Sequence, residues 1–360
     1  MIQLFFEHIF ISMARGFIML DIDGYELTAA DRNLINASNV GGVILFSRNY
    51  KSPEQIINLV DDIRNIKSPS PLIAVDHEGG RVQRFRDGFT SIPPMRKVGQ
   101  LFDINSDKAS KLANTIGWII GSELRSVGVD ICFAPCVDLD WGISSVIGDR
   151  SFHRDKLTVE ILSHQFSLGM ISAGMSPVAK HFPGHGSVAA DSHTDLPVDR
   201  RDFSDLLDDI FPYEGLIRKK VIPAIMMSHV IYKEADPFPA SLSEYWINNH
   251  LRNQLQYNGV IFCDDLSMQA LKDYGSVRER ATAALNAGCD MILVCNDRES
   301  AEQVIESHKN YRNYGSMVRL ASIHGKKSIT RDALLLDDKW INARDYLMDF
   351  NEKPNLELSY

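Results

Sequence analysis

Eight short, almost unbroken apolar runs separated by longer helical stretches constrain this chain more than any other feature. The runs are GFIMLDI (16–22), GGVILFS (41–47), PLIAVD (71–76), ICFAPCVDLD (131–140), SPVAKHF (176–182), PAIMMSHV (223–230), GVIFCDD (259–265) and CDMILVC (289–295). A strand with one wet face alternates apolar and polar residues. A parallel strand covered on both faces does not. Helical patterns at 53–65, 107–126, 156–173, 242–254 and 277–288 lie between the runs. This alternation predicts an α/β fold, a (β/α)8 barrel of the TIM type in a single domain. An open doubly wound sheet would usually carry a Gly-rich phosphate turn after its first strand, and LDIDGYEL at 20–27 is not one.

No Ser/Gly linker, charge block or repeat splits the 360 residues. We expect a barrel over 13–317 and a polar helical tail over 318–360 packed on it, ending in DFNEKPNLELSY. Residues 1–12 read as an extension, and translation from Met13 would leave them without a role. The opening MIQLFFEHIFISMARGF is interrupted by Glu7 and His8, has no basic residue ahead of its apolar run, and lacks a clean cleavage site. Nothing later approaches the ~20 apolar residues of a membrane span. No membrane partner is expected, a cytoplasmic location is the expectation, and the oligomeric state is left open by the sequence with a monomer favoured. The formal charge of −9 disfavours nucleic acid, which a negative chain repels. Cys132, Cys136, Cys263, Cys289 and Cys295 lie mostly in strand runs without zinc-ribbon spacing, and are expected to be buried reduced thiols.

Polar residues gather where the runs end: Asp21 and Asp23, Arg48 and Asn49, Asp76 to Glu78, Asp138 and Asp140, Lys180 and His181, Ser228 and His229, Asp264 and Asp265. Barrels of this type carry their active sites at the carboxyl ends of the strands, so the placement points to one shared pocket. Four stretches carry the chemistry. AKHFPGHGSVAADSHTDLP (179–197) puts Lys180, His181, His185, Asp191 and His193 in a loop with Pro183, Gly184 and Gly186. Asp191 and His193 are two apart, so extended chain points both side chains the same way, and a carboxylate beside an imidazole tunes it for proton transfer. GVIFCDDLSMQA (259–270) ends a buried strand in paired acids, where one carboxylate can attack a sugar carbon while the other caps the next segment. AVDHEGGRVQRF (74–85) offers Asp76, Arg81 and Arg84 for hydroxyl groups, and IGDRSF (147–152) offers Arg150.

Taken along the chain, DHEGGRVQRF (76–85), IGDRSF (147–152), KHFPGHG…DSH (180–193), SHVIY (228–232) and CDDLSM (263–268) resemble in content and order glycoside hydrolase family 3 and its bacterial β-N-acetylhexosaminidase branch, over roughly residues 14–315. The resemblance implies a retaining exo-β-N-acetylglucosaminidase that removes N-acetylglucosamine from 1,6-anhydro-muropeptide fragments in cell-wall recycling, through a glycosyl-enzyme intermediate. Carried over by motif, Asp264 is the nucleophile, His193 the acid/base and Asp191 its partner. Asp76, Arg84, Arg150, Lys180 and His181 bind the sugar, and His185 either touches sugar or shapes the loop. No metal or cofactor is implied. The glycines of the 179–197 stretch predict a loop that moves over the bound sugar. His77 stands where the family usually has Gln, and Cys263 where Ser or Thr is common; neither replaces a reacting group.

Four other readings compete. A β-glucosidase and an N-acetylglucosaminide phosphorylase are rivals within the family. A metal-dependent hydrolase would use His181, His185, His193 and Asp191, although their spacing matches no common zinc motif. A barrel that binds muropeptides without catalysis would not need the reacting groups that are all present here.

Overall fold

The computed structural model describes residues 16–189, 196–326 and 329–352. Each apolar run contributes a strand: β1 (Ile18–Asp21), β2 (Val40–Leu45), β3 (Leu72–Val75), β4 (Ile131–Cys132), β5 (Ser176–Phe182), β6 (Ala224–Met227), β7 (Val260–Asp265) and β8 (Met291–Val294). They pair in chain order, all parallel, and β8 closes on β1. The fold is the (β/α)8 barrel that the runs predict.

Alternate residues face opposite ways, and two separate apolar clusters result. Met19, Leu72, Ala74, Ile131, Val178 and Phe262 fill the barrel, where Phe133 meets Phe262 edge to face with ring centroids 5.4 Å apart. Their neighbours Ile18, Ile73, Cys132, Ala179 and Cys263 pack outward against the helices. Burial on both faces is why these runs show no polar alternation. The five cysteines are buried free thiols; Cys132, Cys263 and Cys289 pack in the outer cluster and Cys295 in the inner one as small apolar groups, while the Cys136 thiol donates to Asp138.

The run at 131–140 forms regular strand only at Ile131–Cys132. Pro135 has no N–H to continue the ladder, and a single bridge between Cys136 and Lys180 follows. The pattern at 242–254 folds as a π-helix over Tyr245–Gln254. Helix Phe203–Arg218 carries Pro212 inside it, a residue that argues against a helix in sequence. Two further small sheets lie outside the barrel, pairing His77–Gly79 with Val82–Gln83 and Val198–Asp199 with Ile231–Tyr232. They are too short to give a periodic signal. Three helices close the described chain, Tyr314–Ser322, Arg331–Leu335 and Asp338–Glu352. The Trp340 indole donates to Glu123 on Ser106–Ser126 at 2.9 Å. Among the described residues, no helix is long and apolar enough to cross a membrane.

Candidate active site

A pocket of about 590 Å³ opens at the carboxyl ends of the strands. The last layer of the barrel core, Ile44, Phe133, Met226 and Leu293, forms its apolar floor. Chain alternation then determines what stands on that floor. Ala74, Val178 and Phe262 point into the barrel, so Asp76, Lys180 and Asp264, each two residues further on, point into the pocket. His181 would point outward by the same rule, but the ladder between β5 and β6 slips between Lys180 and Phe182 and His181 also lines the pocket.

One wall is a network of charges. Lys180 Nζ lies 2.7 Å from Asp76 Oδ1 and 2.6 Å from Glu78 Oε1. Arg150 grips Glu78 with two parallel hydrogen bonds of 2.8 Å, and Arg84 stands 3.7 Å from Asp76. Burial alone would neutralise Glu78, yet Arg150 and Lys180 hold its carboxyl far below the usual range. Burial likewise works against the Lys180 ammonium, and Asp76 and Glu78 raise its pKa. The wall therefore stays charged and offers fixed donors and acceptors to hydroxyl groups.

His181 is aimed by Asp138, a buried acid whose carboxylate accepts from His181 Nδ1 at 2.7 Å and from the backbone N–H of His185 at 2.7 Å. Nδ1–H is thus committed to Asp138, and Nε2 is left to face the pocket. Burial pushes the Asp138 carboxyl up, but His181 and His185 pull it well below its ordinary range. Asp138→Asn should lower kcat/KM about 10- to 100-fold, mostly through KM, because His181 loses its fixed tautomer. The variant should also lose pH-dependent stability. A depressed folded pKa gives stability that is present above the ordinary value of 3.8 and lost as pH falls below it. Michaelis kinetics and melting curves from pH 3 to 7 check both, and wild-type values throughout would refute the role.

The paired acids at the end of β7 have different surroundings. Asp264 faces the pocket and accepts the backbone N–H of Asp265 at 2.8 Å. Burial raises its pKa, but His229, His181, the Asp265 N–H and Lys180 together bring it below the ordinary value, so it is ionised at neutral pH. Asp265 accepts from Ser267 N and Cys295 N at 3.0 Å and from Ser267 Oγ at 2.8 Å, tying the end of β7 to β8. Burial, with Asp264 adding to it, pushes the Asp265 carboxyl up to about 7 despite those donors. His229 Nε2 donates to the Asp265 carbonyl at 2.9 Å while Ser241 Oγ donates to Nδ1 at 2.7 Å, which fixes the backbone that carries Asp264.

The sequence therefore understated Glu78, Asp138 and His229. Glu78, Asp138 and His229 were visible as polar residues at strand ends. Their partners come from distant segments that spacing does not reveal. Asp191 and His193 lie outside the described residues. Among the described residues on either side of them, Arg201 binds Asp199 at 2.7 Å and Asp209 at 2.8 Å, and the Ser187 hydroxyl donates to Asp199 at 2.5 Å. Of the four residues of the metal reading, only His181 belongs to a group with ligand-like spacing among the described residues, with Cys136 and Asp138. The Asp138 oxygens there already accept from His181, His185 and Cys136.

Comparison with known proteins agrees with this arrangement. Residues 14–321 match the model of the glycosyl hydrolase family 3 N-terminal domain. A β-hexosaminidase of Thioalkalivibrio sulfidiphilus is 46% identical over 96% of this chain and 99% of its own length. One from Methylobacillus flagellatus is 49% identical over 91% and 93%. The structure of NagZ from Neisseria gonorrhoeae in complex with N-trifluoroacetyl-D-glucosamine superposes with a TM-score of 0.87 at 36% identity, covering 93% of this chain and 98% of that one. With a barrel of this topology, a charged pocket on its carboxyl face and relatives matched almost end to end, the chain belongs to glycoside hydrolase family 3 and is a glycosidase of its β-N-acetylhexosaminidase branch.

Proposed function

We propose that this chain is a retaining exo-β-N-acetylglucosaminidase that releases N-acetylglucosamine from 1,6-anhydro-muropeptide fragments in the cytoplasm, during cell-wall recycling. The observation that carries the reading is Asp264, held ionised by its surroundings, in a pocket floored by the barrel core beside the charged network of Asp76, Glu78, Arg150 and Lys180. Such a pocket admits the end of a sugar chain and holds its hydroxyls while leaving one carboxylate free to attack. The N-trifluoroacetyl-D-glucosamine bound by the gonococcal NagZ supports an N-acetylglucosamine unit here.

Asp264 attacks the anomeric carbon as the bond to the leaving oxygen breaks, and His193, protonated and paired with Asp191, gives that oxygen its proton. Water then attacks the same carbon, passes a proton to His193 and releases the sugar from Asp264 with its β configuration restored. Asp76, Arg84, Arg150, Lys180 and His181 hold the sugar through both steps. The reading is tested with p-nitrophenyl N-acetylglucosaminide against the glucoside, with and without phosphate, following the product anomer by NMR. Hydrolysis of the first, phosphate-independent and with retention, is expected. Preference for the glucoside, or a sugar phosphate product, would overturn it. His193→Ala should cost at least about 10²-fold on alkyl glycosides and far less on p-nitrophenyl substrates, whose leaving group needs little proton. Equal losses on both would remove His193 from the acid role.

A further inference from the structure

We infer that His185 is a further sugar-contacting residue, its imidazole offering one donor and one acceptor to uncharged polar groups of the bound N-acetylhexosamine. The inference rests on the pocket being the sugar site. His185 is 3% exposed and lines the pocket with Lys180, His181 and Asp264. Neither Nδ1 nor Nε2 has a hydrogen-bond partner among the described residues. Buried polar side-chain atoms are rarely left in that condition, and this residue lines the pocket.

Shaping the loop does not require the ring. The backbone N–H of His185 is held by Asp138 at 2.7 Å, and the Tyr232 hydroxyl donates to the Gly184 carbonyl. Gly186 packs so closely that an added Cβ would lie 1.8 Å from the Leu139 carbonyl oxygen. The conformation is thus fixed by backbone contacts on both sides of the imidazole, which meets the His181 ring edge to face at a 6.0 Å centroid separation. His77 and His250 provide the contrast. His77 also carries an unpartnered nitrogen among the described residues, but it is packed against Phe85 and Phe89; His250 lies among Phe182, Phe203 and Trp246, and neither lines the pocket.

Burial, and then the neighbouring His181, lowers the His185 pKa to about 4, so the ring is neutral at physiological pH. A neutral imidazole suits a hydroxyl or amide group, which both gives and takes a hydrogen bond. It also adds no further cation beside Lys180 and Arg150, leaving the charge on Asp264 for the reaction.

His185→Phe keeps a ring and removes both nitrogens, and His185→Gln restores a donor and an acceptor. For His185→Phe we expect kcat/KM on p-nitrophenyl N-acetylglucosaminide to fall about 10- to 100-fold, chiefly through KM. Calorimetric affinity for N-acetylglucosamine should fall in parallel. The melting temperature of the free protein should hold or rise, since an unpaired polar group is removed. His185→Gln should regain at least about threefold. Unchanged KM and affinity in His185→Phe would overturn the inference, as would a loss that comes with a lower melting temperature and no rescue by Gln. If the wild type neither cleaves the substrate nor binds the sugar, the pocket assignment fails as well. A wild type that does both beside an indifferent His185→Phe removes His185 alone.

Discussion

Replacing Asp264 with alanine should lower kcat/KM for p-nitrophenyl N-acetylglucosaminide by at least about 10³-fold, the scale expected when a covalent nucleophile is removed. Asp265→Asn should stay within about tenfold of wild type. The contrast follows from what each carboxylate does. Asp264 has the parity of Phe262, which fills the barrel, so it points into the pocket, and its surroundings keep it ionised. Asp265 spends its oxygens on Ser267 and Cys295, and an Asn oxygen can still accept from those backbone N–H groups. Steady-state kinetics on the two variants, with melting curves to confirm folding, decide between them. If Asp264→Ala kept activity within about tenfold while Asp265→Asn lost it, the nucleophile would have to be reassigned.

Much of this architecture was legible in the sequence because a parallel barrel imposes a simple rule on its strands. Both faces are buried, so each strand reads as a continuous apolar run, and the first polar residue after it marks the end where chemistry sits. Asp76, Lys180 and Asp264 are such residues. Asp138 was equally visible, but its role was not. That it aims His181, and that Glu78 joins Arg150 to Lys180, depends on side chains 43, 72 and 102 positions apart meeting above the barrel. Sequence spacing carries no signal for such pairs. Arg150 shows the consequence most clearly: in IGDRSF alone it would pass for a surface ion pair, whereas its side chain is 10% exposed and its partner 2%. The two short sheets outside the barrel were hidden because pairs of two or three residues have no period to read.

Glu78→Ala should be the most damaging change outside the reacting groups. It removes a carboxylate that faces two cations at once, Arg150 through two 2.8 Å hydrogen bonds and Lys180 at 2.6 Å. Lys180 would keep Asp76, but among the described residues Arg150 would keep only its hydrogen bond to the Val146 carbonyl at 3.1 Å. Leaving a buried charge without its partner costs about 3–5 kcal/mol, far more than an exposed pair contributes. The melting temperature should therefore drop by several degrees, and kcat/KM should fall more than about 100-fold as the hydroxyl-binding wall loses its geometry. The folded pKa of Glu78 is depressed, so its stabilisation is present above the ordinary carboxylate value of 4.5 and disappears as pH falls below it. Wild type should lose more stability than Glu78→Gln on acidification. Replacing both partners, Glu78→Met with Arg150→Met, separates folding from function: exchanging a buried ion pair for apolar side chains is often neutral for stability. The double variant should melt closer to wild type than Glu78→Ala does and still lack activity, because a thioether has no N–H to donate to a sugar hydroxyl in place of a guanidinium. A Glu78→Ala protein with wild-type melting and kcat/KM would show that Arg150 and Lys180 are held by something other than this carboxylate.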